Sequence, residues 1–91
     1  MFLSNYAILI TNMSPTVFRY KEYQFYFFSR EESRIHVHVY SPDGEAKFWL
    51  EPDIKLAESH KLNAKKLKEI ERIVEVHKDE IKKSWKKHFK H

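Results

Sequence analysis

Two short runs flanking a Pro-Asp-Gly turn constrain this chain more than any other feature. Ile35-His36-Val37-His38-Val39-Tyr40 alternates apolar and polar side chains with the period of a half-buried strand, and Glu45-Ala46-Lys47-Phe48-Trp49-Leu50 alternates again. Between them, Ser41-Pro42-Asp43-Gly44 offers Pro, Asp and Gly where a type I turn uses them. Setting Tyr40 opposite Glu45 pairs Val39 with Ala46, His38 with Lys47, Val37 with Phe48, His36 with Trp49 and Ile35 with Leu50. The valines, Ala46, Phe48 and the end residues then share one face, and a slip of one residue would send each set to the wrong side. A β-hairpin in this register is the anchor of the fold.

The flanking sequence extends it. Residues 17–20 and 23–29 are rich in β-branched and aromatic side chains and predict a first hairpin around Lys21-Glu22, although neither of those residues favours the positive φ that a tight turn demands. Residues 29–34 are polar and predict a loop. Pro52 ends the second hairpin, after which residues 54–59 suit either a short edge strand or an irregular passage. Asn63 is a good helix N-cap. From Ala64 to about His88 no Gly or Pro intervenes, and Leu67, Ile70, Val74, His77, Ile81, Trp85 and His88 recur at spacings of three and four, with Ile73 and Phe89 widening the stripe. Such a helix would be nearly ~40 Å long at ~1.5 Å per residue, longer than a strand of this sheet, so its end either projects or bends near His77. The expected class is α+β: an antiparallel sheet of two hairpins, with four or five strands, packed by one long C-terminal amphipathic helix.

A chain of 91 residues holds one core of ordinary size. Residues 13–91 are read as one α+β domain, with the sheet over about 17–58 and the helix over about 64–89, and residues 1–12 as a peripheral extension. The absence of cysteine excludes a disulfide framework, a thiolate metal site and a cysteine nucleophile, and fits a reducing compartment, with the cytoplasm expected. No run approaches the ~20 apolar residues of a membrane-spanning helix, and the apolar opening lacks the basic flank of a signal peptide, so no membrane association is expected. The net charge of +4 is uneven: from Lys61 onward eleven Lys and Arg face five acids, whereas six face eight before it. This asymmetry suits an acidic or nucleic-acid partner, and it also suits the dipole at a helix C-terminus.

Strand alternation gathers His36, His38 and Tyr40 on one face, where the hairpin pairing adds Glu45, Lys47 and Trp49. A solvated sheet face is the plain reading. Three functional ones compete with it. Two histidines at i and i+2 need a third metal ligand, which only Glu45 or His60 offers, so neither a metal nor another cofactor is expected. His36 and His38 as base and acid, with Lys47 stabilising charge and Glu45 beside them, would make a metal-independent, RNase-like site. Alternatively Tyr40, Trp49 and Tyr26 would stack RNA bases while Lys47 and Arg19 meet phosphates. His77 is expected at the core edge, across the sheet from the other two histidines. Lys82, Lys83, Lys86, Lys87 and Lys90 form a basic helix end, and if the helix projects, Trp85 and Phe89 become exposed aromatics able to anchor a partner.

Four elements occur in order: Met13-Ser14-Pro15-Thr16, His36-Val37-His38-Val39, Gly44-Glu45-Ala46, and a helix with Val74, His77, Ile81 and Trp85. Together they resemble the small bacterial domain-of-unknown-function family 4160, over residues 13–91. The chain departs from that pattern where Arg34 and Ile35 precede the histidine strand in place of Pro, and in residues 1–12. The resemblance implies a component of a toxin–antitoxin-like two-gene module that binds a cognate protein from domain-of-unknown-function family 2442. RNA as a ligand and a homodimer both remain open.

Overall fold

The computed structural model describes residues 16–28 and 33–89. The readings made for residues 1–12 and 13–15, and most of the 29–34 loop, lie outside these. Five strands, β1 (Thr16–Tyr20), β2 (Tyr23–Tyr26), β3 (His36–Tyr40), β4 (Glu45–Trp49) and β5 (Lys55–His60), form one antiparallel sheet in which each strand lies beside its chain neighbours. Helices α1 (Ala64–Val76) and α2 (Lys78–His88) follow. The β3–β4 register is the one the alternation demands, from Tyr40 with Glu45 to His36 with Trp49, and the Leu50 N–H donates to the Ile35 carbonyl at 2.9 Å. Residues 55–60 do form an edge strand, with an irregularity opposite Lys47 and Phe48.

The sequence places Phe25, Val37, Val39 and Phe48 on one sheet face, and the helices bring Ile70, Val74 and Ile81 onto it. All seven are at most 1% exposed. Burying side chains of this size is worth ~1.5–3 kcal/mol each, which makes this layer the main source of stability. β2 ends at Tyr26, opposite His38, sooner than its composition suggests. The next residue, Phe27, packs instead against the rings of Trp85 and Phe89, with centroids 5.2 and 5.9 Å away.

The expected single helix is divided at His77. The backbone N–H and the ring Nδ1–H of His77 both donate to the Ile73 carbonyl, at 3.1 and 2.9 Å, and the ring stacks on Phe18 with centroids 4.3 Å apart. Its φ of −103° and ψ of 14° leave the helical region, and the chain turns there. Of the two outcomes the length allowed, bending is the one that occurs. Consequently α2 stays against the sheet and Trp85, 6% exposed, belongs to the core instead of standing out beyond it.

Polar ties fix the sheet turns to α1. Asn63 caps that helix by accepting the Lys66 N–H at 2.8 Å. Lys21, at a left-handed φ of 55°, donates to Glu69, and Glu69 also accepts the Tyr23 hydroxyl, both at 2.8 Å. Lys66 reaches Glu22 at 2.9 Å and Asp43 at 3.1 Å, joining the tips of both hairpins. These contacts hold an unfavourable turn in place. Hydrogen bonding to Lys21 and then to Tyr23 lowers the Glu69 carboxyl from its ordinary value, and the bond from Lys66 does the same for Glu22. Burial, followed by the bond to Glu69, pushes the Tyr23 hydroxyl up to about 12.

A phenol whose folded value lies above its unfolded one contributes its full stability below the unfolded value, near 10, and loses it as pH rises toward 12. Alkaline titration followed at the tyrosinate absorbance should therefore show the Tyr23 hydroxyl ionising near pH 12 instead of near 10. Tyr23→Phe should remove that late step. Equal late ionisation in the variant would assign it elsewhere.

Candidate functional site

The sheet face turned away from α1 and α2 is organised as cross-strand rows. Arg19, Gln24, Tyr40, Glu45 and His60 make one; Thr16, Tyr26, His38, Lys47 and Glu58 make the next; His36, Trp49 and Lys55 make a third. The six residues expected together, His36, His38, Tyr40, Glu45, Lys47 and Trp49, do share this face. Arg19 is on it too, at the β1 edge and two strands from Tyr40. Trp85 and Phe89 belong to the helical layer, with Phe89 half-buried against Trp85 at 4.4 Å.

The centre of the face is not the solvated surface that its polarity suggests. His36 is 0% and His38 5% exposed, and Tyr26 and Glu45 are buried with them. His38 meets the rings of Phe28, at 4.2 Å, and Tyr26, at 5.5 Å, which also touch each other at 5.6 Å. His36 meets His38, Trp49 and Trp85 edge to face at 5.1, 5.4 and 5.0 Å. Its Nδ1 lies 2.7 Å from the Arg34 carbonyl, and since a carbonyl only accepts, Nδ1 carries the proton. Trp85 reaches His36 beyond the last β2–β3 pair. These rings form a continuous aromatic wall, and a general acid or base there would have to be uncovered before a substrate could meet it.

Neither carboxylate oxygen of Glu45 has a hydrogen-bond partner among the described residues. Among those same residues no group of three or more His, Cys, Asp or Glu side chains is gathered closely enough to hold a metal ion. Glu45 and His60 are neighbours across β4 and β5, yet they do not complete a ligand set with the histidine pair.

The accessible chemistry sits at the rim. Trp49 is half-buried, with the Arg34 guanidinium 4.1 Å and the Lys47 ammonium 4.5 Å from its ring centre. Arg34 is exposed and anchored by its Nε, which donates to the Glu51 carbonyl at 2.9 Å. Cation–π contact restrains both side chains, and the Arg34 guanidinium keeps N–H donors beyond its bond to Glu51 with which to meet an anion. Sequence reasoning singled out Trp49 and Lys47 but missed Arg34, which precedes β3 and so falls outside its alternation.

Among the described residues no helix is long and apolar enough to cross a membrane. No curated protein and no solved structure matches the chain. The family model for a domain of unknown function, DUF4160, matches residues 23–86, which run from the first residue of β2 into α2 and include the histidine strand, the Gly44 turn and Trp85. With most of its length matched, the chain belongs to the DUF4160 family.

Proposed function

We propose that this chain is the binding component of a toxin–antitoxin-like two-gene pair, recognising an acidic surface on its cognate protein through the Trp49 rim of the sheet face turned away from α1 and α2. The observation that carries the proposal is the half-buried Trp49 ring flanked by Arg34 and Lys47. Trp and Arg dominate the energetics of protein interfaces because they combine large contact area with directional charge. An excess of positive charge, +4 overall, favours an anionic partner. The likeness of the sequence elements to their family suggests a domain-of-unknown-function 2442 protein as that partner.

Co-expression with the neighbouring gene product, followed by size-exclusion chromatography, tests the proposal. A single co-eluting complex is expected, and two independently eluting proteins would overturn it. The competing RNase-like reading has the burial of both histidine rings against it.

A further inference from the structure

On the opposite side of the molecule, Tyr20, Lys21, Lys65, Lys68, Glu69, Arg72 and Ile73 line an open groove of about 480 Å³ between the first hairpin and α1. Four of these residues are cationic and one is acidic. The single carboxylate, Glu69, is already engaged by Lys21 and the Tyr23 hydroxyl. Lys65, Lys68 and Arg72 recur at i, i+3 and i+7 of α1, so they form a stripe along one helix face, and all three are exposed. The stripe is ~10 Å long at ~1.5 Å rise per residue, which suits a run of anionic groups better than one isolated anion. At its side stands Tyr20, which is 45% exposed, an unusual position for a large aromatic.

We infer that this groove binds single-stranded nucleic acid, with Lys65, Lys68 and Arg72 meeting backbone phosphates and Tyr20 stacking on a base. The combination decides between polyanions. An acidic peptide would use the cations but has no need of a flat exposed ring, whereas every base presents a π-face to one. Arg72 adds a planar donor fork suited to phosphate. The groove lies away from the Trp49 rim, so this inference does not depend on the partner protein.

The test is fluorescence anisotropy of the full chain with labelled single-stranded RNA and DNA oligonucleotides, with poly-glutamate as competitor. Three phosphate contacts predict a loss of affinity of roughly 20-fold between 50 and 200 mM salt. The triple variant Lys65→Glu/Lys68→Glu/Arg72→Glu should lose at least about tenfold. Tyr20→Thr, which retains strand propensity, should lose about fivefold. A control triple, Lys83→Glu/Lys86→Glu/Lys87→Glu, changes net charge equally at exposed positions of α2 and should retain most of the affinity. Thermal melts establish that each variant folds, and a Lys65→Gln/Lys68→Gln/Arg72→Gln set replaces the reversal if it does not. Equal weakening by both triples would show that net charge binds the probe and overturn the groove assignment. So would an absence of binding, or displacement by poly-glutamate at lower concentration than by unlabelled oligonucleotide.

Discussion

Gly44→Ala is expected to destabilise the protein by about 3 kcal/mol, at the upper end of what overpacking costs. Gly44 is the only glycine in the chain. A Cβ built there would lie 2.1 Å from the His60 carbonyl oxygen and 2.8 Å from the carbonyl carbon and oxygen of Lys61. These are backbone atoms, so no rotamer change relieves the clash. The crowding has a local cause. Glu45 pairs with His60, and immediately afterwards Lys61 adopts a φ of 60°, which turns the chain over Gly44 on its way to α1. The turn on the other side is equally determined: the Ser41 N–H donates to the Gly44 carbonyl at 2.9 Å, and the Ser41 Oγ accepts the Asp43 and Gly44 N–H groups at 3.2 Å. Neither backbone can yield without losing part of β4–β5. A thermal melt should show a fall of roughly 12–24 °C, given ~4–8 °C per kcal/mol for a domain of this size. A shift of a degree or two would contradict the close approach.

Trp85→Ala is expected to cost about 3–5 kcal/mol, the usual range for deleting a buried aromatic. The indole joins three parts of the molecule: Phe27 at 5.2 Å, Phe89 at 4.4 Å and His36 at 5.0 Å. Removing it would leave a cavity where α2 meets the sheet and expose one side of the histidine wall. Denaturant unfolding should show the loss directly. Were Trp85 instead an exposed anchor on a projecting helix, its removal would leave stability almost unchanged and impair only partner binding.

The two predictions concern residues that were unequally legible in the sequence. The β3–β4 register could be read because two alternating strands and a Pro-Asp-Gly turn agree with one another, and Gly44 falls out of that agreement. The position of Trp85 could not, because it depends on the turn at His77. No Gly or Pro marks that turn. It accompanies a tertiary contact, the stacking of His77 on Phe18, together with competition for the Ile73 carbonyl. The irregularity opposite Lys47 and Phe48 in β5 likewise leaves no trace in composition.

The site was legible as a face but not as an environment. Alternation assigns His36, His38, Tyr40, Glu45, Lys47 and Trp49 to one side, and polar alternation is ordinarily read as solvent exposure. The burial of His36, His38 and Glu45 runs against that expectation and packs both imidazoles among aromatic rings. Arg34 joins Trp49 only through the path of the chain into β3. The basic stripe of Lys65, Lys68 and Arg72 went unread beside the lysines of the helix end, and Tyr20 completes its groove only because β1 is an edge strand beside α1.

Recognition of the cognate protein, as proposed, centres on Trp49 and its two cations. Calorimetric titration of that protein into this chain, into Trp49→Ala and into Lys83→Ala tests it most directly. A Trp49 at the centre of the interface predicts that Trp49→Ala loses about 30-fold or more in affinity, the ~2 kcal/mol expected of a hot spot, while Lys83→Ala binds as the unaltered chain does. Binding by Trp49→Ala within twofold of the unaltered chain would contradict it.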